Sequence, residues 1–588
     1  MKYCYTDERN AQIVISLMKA HNIRKVIASP GTTNICLIAS MQQDPYFEIY
    51  SAPEERSAGY MACGLAAESG EPVAISCTGA TASRNYMPAL TEAYYRKLPI
   101  LAITSSRRST QIGHNFDQVT DRTQLPRDVA RLSVQLPVIT DVESEWGCII
   151  AANKAMLELR HHGGGPVHIN LETAYSRNYE VKELPPARAI YRISYGDQFP
   201  KVEGAKIGIL VGTHAVWSDG LTKKVEDFCE IYNAVVICDH TSNYKGKYKV
   251  SGNLMGIQRY NESIIKSIDL MIYLGDILAL PYTISPQTVW RVNLDGELRD
   301  PFRKLRYVFE MTEDAFFEFY TSDAKKKEVC SFYRACEQEN IILRDNLENV
   351  IKKLPFSNAW IAAQTAPRLP ANSAIHFGIQ NSLRFWNFFQ LPETIHGYSN
   401  TGGFGIDGSM STTIGAALAD DNKIFFCVLG DLAFFYDLNS LGNRHLGNNV
   451  RIVLVNNGKG TEFKLSGNPG SMFGEDTDRY IAAGGHYGRQ SKTLVKHYAE
   501  DLGMEYLSAS SKEMYLHELE KLVNPEIGNR PMLLEVFTNS IDEDAALTML
   551  QECLVDEKLR MRRIAGSTVK SVLGEKGFQS IKKVLIKG

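Results

Sequence analysis

The stretch Phe425-Phe426-Cys427-Val428-Leu429-Gly430-Asp431-Leu432, followed by Arg451-Ile452-Val453-Leu454-Val455-Asn456-Asn457, decides the reading of this chain. Each half is a short apolar run bounded by a polar turn, the pattern of a strand buried on both faces of a parallel sheet. The first run delivers an aspartate to its C-terminal end, and the second delivers two asparagines to theirs. Both sets of side chains then sit on one rim of the sheet, where open α/β sheets bind ligands. A carboxylate beside an amide oxygen is hard-oxygen ligation. It suits Mg²⁺, which takes few protein ligands and completes its octahedron with water and phosphate oxygens. Helix N-termini after the turns add N–H groups for phosphates. Gly-Asp alone is more often a buried turn whose Asp caps a helix; the two halves together reverse that preference.

Outward from this pair, the chain alternates strand-like and helix-like segments, which argues for α/β architecture with doubly wound parallel sheets. Three blocks are expected, at 1–185, 200–345 and 350–545, with Pro185-Pro186 as a linker after the first. In the first block, Ala11–His21 reads as a helix, Lys25–Ala28 as a strand, Arg56–Gly70 as a helix and Val73–Cys77 as a strand. A single helix is then expected through Tyr95, and a strand at Ile100–Thr104. The middle block has strands at Ile207–Val211, Ala234–Cys238, Leu270–Leu274 and Val289–Leu294, and no GxGxxG fingerprint. The third adds Met532–Phe537. A tail, 546–588, follows; residues 556–588 carry nine Lys/Arg against three Asp/Glu. It reads as a solvated or subunit-docking helix, with contact to an acidic partner or membrane surface as the alternative.

Composition narrows the function classes. The 588 residues are 44% hydrophobic and 22% charged, ordinary for a globular protein, and net charge is −3. That balance gives no electrostatic case for nucleic acid. No apolar run reaches the roughly 18–20 residues of a membrane span, and no secretory signal is visible at Met1–Glu8. The 11 cysteines are scattered; the closest pair, Cys330 and Cys336, lacks a usual zinc spacing. This usage fits a reducing cytoplasm with cysteines as small core residues.

Two further segments complete a constellation. In the first block, Glu54-Glu55-Arg56-Ser57-Ala58-Gly59-Tyr60-Met61-Ala62-Cys63-Gly64 places a carboxylate before a helix lined with small residues. Taken alone, it reads as an acid favouring the helix dipole. In the third, Gly402-Gly403-Phe404-Gly405-Ile406-Asp407-Gly408-Ser409 is a glycine-rich loop whose backbone a ligand can approach closely.

Together these segments resemble the thiamine-diphosphate (ThDP) enzyme family, whose diphosphate motif reads Gly-Asp-Gly and, 25–30 residues on, Asn-Asn. The variant Gly430-Asp431-Leu432-Ala433 resembles the MenD-like (SEPHCHC synthase-like) subgroup. The resemblance implies ThDP and Mg²⁺ as cofactors, with Asp431, Asn457 and the main-chain oxygen of Lys459 as metal ligands. It implies that Glu55, nine residues before Gly64, is the activating glutamate at N1′ of the aminopyrimidine. Gly405-Ile406-Asp407-Gly408 resembles the subgroup's Gly-Ile-Asp-Gly, which makes Ile406 the apolar prop that bends the cofactor. Ser29-Pro30-Gly31 and the Thr78–Asn85 segment resemble the family's other cofactor loops. The domains implied are pyrimidine-binding, central and diphosphate-binding. Sites in this family lie between the first domain of one subunit and the third of another, so a homodimer or homotetramer with shared sites is implied. The FAD site of the related acetolactate synthases has no visible counterpart.

The substrate side differs from the subgroup. It reads Ser-Pro-Gly-Ser-Arg where this chain has Ser29-Pro30-Gly31-Thr32-Thr33, and Asn-Arg-Gly where it has Asn400-Thr401-Gly402. Threonine cannot replace an arginine fork in holding a carboxylate bidentately, which argues against isochorismate and 2-oxoglutarate as the substrates. Arg107 resembles the subgroup's surviving arginine. His114 reads equally as a pocket group or an ordinary loop histidine, and Gln118 and Glu462 are further candidates at the mouth. The chemistry implied is decarboxylation of a 2-oxo acid donor, with the product carbanion trapped by a proton or a carbonyl acceptor, in specialised or glycan-precursor metabolism. The alternatives are SEPHCHC synthase itself or an acetolactate-synthase-like enzyme. Outside the class stand a non-catalytic scaffold of the same fold and an NAD- or FAD-dependent oxidoreductase.

Overall fold

The computed structural model describes residues 4–279, 283–322 and 331–564. Two compact units result: residues 1–199 with 295–310, and 200–294 with 311–588. The central block's residues are therefore divided, with 295–310 grouped with the first unit.

In the first unit, six strands lie in the order Glu48–Ser51, Lys25–Ala28, Val73–Thr78, Ile100–Ser106, Val167–Glu172, Leu132–Leu136, every pair parallel. Helices pack on both faces, and the two apolar clusters they form contain the strand residues Val26, Ala74, Leu101 and Ile169 on one side and Ile27, Ile75, Cys77 and Ala102 on the other. This alternation follows from the period-two geometry of a strand whose two faces are both covered. Leu305–Glu310 pairs in parallel with Tyr191–Ile193.

In the second unit, Lys249–Val250, Ala234–Ile237, Ile207–Val211, Ser267–Leu274 and Ser285–Asn293 lie side by side in that order, all parallel. A further sheet runs His396–Ser399, Ser373–Phe377, Ile424–Gly430, Val450–Asn456, Met532–Phe537, Glu505–Ala509, also all parallel. The α/β class and the parallel-only sheets are as the sequence implies. Strand bounds move by a few residues. The expected helix through Tyr95 is instead two, Ala80–Asn85 and Met87–Tyr95. Pro88 sits in the first turn of the second; it has no N–H to continue a helix begun upstream.

Ile424–Gly430 and Val450–Asn456 are the two central strands of the last sheet. Phe426, Cys427, Val428 and Leu429 are at most 1% exposed. Burying each such large side chain contributes about 1.5–3 kcal/mol, so register here is strongly specified, and with it the position of the polar residues at the strand ends. The cysteines serve the same core: among the described residues all are free and all but Cys4 are buried. Burial pushes the Cys36, Cys77 and Cys427 thiols up to about 12. Cys330 and the tail beyond residue 564 lie outside the described residues. Among the described residues no helix is long and apolar enough to cross a membrane.

One buried carboxyl gives the fold a pH signature. Glu543 is 1% exposed and accepts from the Asn358 N–H at 3.0 Å and the Thr538 hydroxyl at 2.9 Å. Burial nevertheless dominates and pushes it up to about 7. A folded-state value above the unfolded one means stability is present at low pH and is lost as pH rises towards and through 7. Over that rise wild type is expected to lose about 3 kcal/mol relative to Glu543→Gln. Urea unfolding of both proteins at pH 5 and pH 8 measures this; parallel pH dependence would refute it.

Candidate functional site

Within the second unit, the strand Ile424–Gly430 ends at Asp431, which is 5% exposed. Its Oδ1 accepts from the Leu432 N–H at 2.8 Å and its Oδ2 from the Gly458 N–H at 2.5 Å. Burial pushes its carboxyl up to about 6, with the backbone N–H groups opposing the shift. Among the described residues no Lys or Arg pairs with it, so it is a buried carboxylate without a cation, an arrangement that costs free energy until one is bound.

The neighbouring strand separates its two asparagines. Asn456 is 3% exposed; its amide N–H donates to Glu535 Oε1 at 2.6 Å, and its oxygen accepts from the Gly458 N–H at 3.2 Å. Asn457 Oδ1, by contrast, is a buried oxygen with no partner among the described residues. Such an orphaned acceptor in a native structure calls for an unseen donor or ion. The Lys459 carbonyl accepts from the Thr461 N–H at 2.9 Å and keeps a second lone pair, while its ammonium pairs with Asp478.

At Gly430 an added Cβ would meet nothing nearer than the Val455 carbonyl oxygen at 4.0 Å. The protein's own packing does not require glycine there; a ligand pressed against that backbone would. A buried anionic oxygen, an orphaned amide oxygen and an open glycine fit a divalent cation and its diphosphate. Leu432 is half-buried beside them, and Ala433 is 8% exposed in the following helix.

The glycine-rich loop lies in the same unit. Gly405 and Ile406 are half-buried, with Ile406 packed on the apolar cluster of this sheet, and Asp407 is exposed. Gly408, at φ +77°, precedes the helix Ser409–Ala417. Thr401 is 5% exposed and its hydroxyl is 3.0 Å from that of Thr213. Glu462 is held bidentately by Arg384, at 2.7 and 3.0 Å. Thr401 and Glu462 are thus both engaged within the protein.

The sequence reading passed over a cover on the Asp431 side. Gln490 donates to the carbonyls of Asn456 at 2.8 Å and Thr538 at 3.0 Å, and the Tyr487 ring stacks on Phe435 with centroids 4.3 Å apart. With Asp431 and Gly458 these residues line a cavity of about 10 Å³. The available signal was the cluster Gly484-Gly485 and Gly488, of which Gly485 and Gly488 adopt positive φ.

The first unit separates the two glutamates at the start of the helix Glu55–Ser69. Glu54 is its N-cap: the carboxylate accepts from the N–H groups of Arg56 at 3.2 Å and Ser57 at 2.8 Å. Glu55 is half-buried, and the amide of Asn85 donates to it at 3.4 Å. One acid is used up locally and the other is turned towards the Thr78–Asn85 loop. Gly31 is sterically required: a Cβ would lie 2.5 Å from Thr78 Cβ, so the Ser29-Pro30-Gly31 turn packs directly on that loop.

Of the remaining candidates, Thr32 is exposed, while Thr33 is 4% exposed, with its hydroxyl bonded to that of Thr78 and donating to the Ser105 carbonyl at 2.6 Å. Arg107 is held by Asp117 at 3.0 Å and by the Tyr175 hydroxyl at 3.2 Å. His114 and Gln118 are exposed, and among the described residues no hydrogen bond joins either to Glu55.

Comparison with known proteins places these observations. Residues 9–125 match the family described as "Thiamine pyrophosphate enzyme, N-terminal TPP binding domain". The 2-succinyl-5-enolpyruvyl-6-hydroxy-3-cyclohexene-1-carboxylate (SEPHCHC) synthase of Bacteroides fragilis is 31% identical over 571 residues, 92% of this chain and 98% of that protein. The synthase of Bacteroides thetaiotaomicron is 31% identical over 573 residues, with the same shares. That of Desulfotalea psychrophila is 27% identical over 551 residues, 89% of this chain and 97% of its own length.

Proposed function

The chain belongs to the thiamine-diphosphate-dependent enzymes of the SEPHCHC synthase (MenD-like) family, and we propose that within it this enzyme is a Mg²⁺-dependent carboligase acting on a 2-oxo acid donor and a carbonyl acceptor. The observation that carries the Mg²⁺ part is the buried Asp431 carboxylate, without a cation, beside the orphaned Asn457 oxygen. Asp431, Asn457 and the Lys459 carbonyl hold the metal, and Gly430 gives the diphosphate access to backbone. When bound, ThDP would supply the nucleophilic carbon for chemistry at the donor's keto group and the electron sink for decarboxylation. Glu55 holds and returns a proton at its carboxylate, oriented by Asn85. Ile406 supplies an apolar surface for the cofactor, and the 482–490 segment excludes water from Asp431.

The acceptor differs from that of the synthases. The two positions where the subgroup carries arginines hold Thr33 and Thr401, both buried and both bound within the protein. Neither offers a bidentate clamp for a carboxylate. Arg107 is the remaining guanidinium, so one substrate carboxylate is anchored rather than several. The extent of the likeness, 98% of the Bacteroides fragilis protein's length, favours the second reading, SEPHCHC synthase itself. The three domains, at 1–185, 200–345 and 350–545, a homo-oligomer with sites shared between subunits, and a cytoplasmic location belong to the same proposal.

The test is product identity. The holoenzyme is incubated with isochorismate plus 2-oxoglutarate and, separately, with a panel of 2-oxo acids and aldehyde, ketone or keto-sugar acceptors, and products are read by mass spectrometry. A coupled product from the panel with none from isochorismate supports the proposal. SEPHCHC as the preferred product establishes the second reading instead.

A further inference from the structure

A separate cavity of about 390 Å³ opens in the second unit, on a different sheet from Asp431. It lies at the C-terminal end of the strand Ala234–Ile237, where Cys238, Asp239 and His240 leave the sheet, and the segment 387–393 forms its opposite wall. Its volume is within the range of small-molecule sites.

Its charge is one-sided. Lys245, Lys247, Lys249 and Arg344 line it, against Asp239 and Glu393. Asp239 is turned to local use, accepting from the Thr241 N–H at 2.7 Å and hydroxyl at 2.6 Å. His240 is neutral: burial holds it down at about 3, and its ring lies within 3.0 Å of the Trp386 and Phe389 carbonyls. Among the described residues no carboxylate lies within ion-pair distance of Lys245, Lys249 or Arg344, while Lys247 reaches Glu230 at 3.9 Å. Lys245 is half-buried, and burial together with neighbouring Lys249 pushes its ammonium down to about 8. Glu393 opposes that shift only in part, so the lining keeps an excess of positive charge with no ion pair at Lys245 or Lys249 among the described residues.

The second observation is independent of charge. Asn253 lines the same cavity and is 6% exposed, yet among the described residues neither its amide nitrogen nor its oxygen has a partner. Leaving both ends of a buried amide unpaired is unfavourable. The amide supplies a donor for an anionic oxygen and an acceptor for a hydroxyl. Ammonium point charges suit phosphate.

We propose that this cavity binds the phosphate ester of a small hydroxylated molecule, with Lys245 and Lys249 on the phosphate and the Asn253 amide bridging phosphate and hydroxyl. The site is distinct from that of the ThDP diphosphate, and the 387–393 wall continues into the strand His396–Ser399 and the Thr401–Gly408 loop.

Because free phosphates also compete for a cofactor site, the test uses holoenzyme saturated with ThDP and Mg²⁺. Glucose 6-phosphate, inorganic phosphate and glucose are titrated by calorimetry into wild type, Lys245→Gln/Lys249→Gln, Asn253→Leu and the distant surface control Lys496→Gln. One saturable glucose 6-phosphate site per chain is expected, tighter than inorganic phosphate, with no glucose binding. Both cavity variants should weaken it at least about tenfold, with the control unchanged. In ligand-free protein, Lys245→Gln should raise the unfolding midpoint, which shows the variant folded and the charge unfavourable. No saturable binding by wild type, equal binding of inorganic phosphate and the ester, or undiminished binding in both variants would each overturn the proposal. If the lysine variant fails to fold, Asn253→Leu alone decides.

Discussion

Glu55→Gln is expected to lower kcat by about 10²–10⁴-fold, the span of positioned proton transfer, while ThDP affinity stays close to wild type. The residue pair makes this a sharp test. Glu54 and Glu55 are adjacent acids at one helix start, so any role of bulk charge or helix dipole is shared between them. The structure separates them by what each carboxylate touches. Glu54 is satisfied by the N–H groups of Arg56 and Ser57, and among the described residues Glu55 meets only the Asn85 amide. Glu54→Gln should therefore leave kcat near wild type. Steady-state kinetics of the two variants, each with a ThDP titration, measure the difference. Equal loss in both would remove Glu55 from its assigned role.

The second large effect concerns the metal. Asp431→Ala should weaken Mg²⁺-dependent ThDP binding by more than about 100-fold, beyond the usual cost of losing an outer-shell partner. Asn457→Ala should weaken it in the same sense, because the orphaned Oδ1 has no structural partner to lose. Asn456→Ala should behave differently. It leaves Glu535 Oε1 unpaired in the sheet interior, a destabilisation of about 1–3 kcal/mol, with ThDP affinity largely retained in the protein that stays folded. Fluorescence titration with ThDP at fixed Mg²⁺, beside urea unfolding, separates the effects. A pattern in which Asn456 governs ThDP affinity and Asn457 does not would reverse the assignment of the two amides.

The fold was legible because its strands are short apolar runs ending in polar turns. Lys25–Ala28, Ile207–Val211 and Met532–Phe537 agree with the expected bounds to the residue. The break at Pro88 was missed because the apolar periodicity carries across it. In the candidate site, the placement of Asp431 and Asn457 on one rim was legible because both lie at the ends of adjacent strands, and local sequence fixes where a strand ends. Thr33, Thr401 and Glu462 were not. Their partners, the Ser105 carbonyl, Thr213 and Arg384, lie 72, 188 and 78 residues away. No local pattern says that a threonine is already spoken for. The Gln490 and Tyr487 cover was invisible for the same reason: it acts on Asp431 only through the folded chain.

The measurement that bears most directly on the central claim is CO₂ release from a panel of 2-oxo acids by dialysed protein, with and without ThDP and Mg²⁺, beside Glu55→Gln. The result expected is release from at least one acid that requires both additions, rises with a carbonyl acceptor and collapses in the variant. Release that is indifferent to ThDP and Mg²⁺, or none from any donor and acceptor pair with protein shown to hold the cofactor, would contradict it.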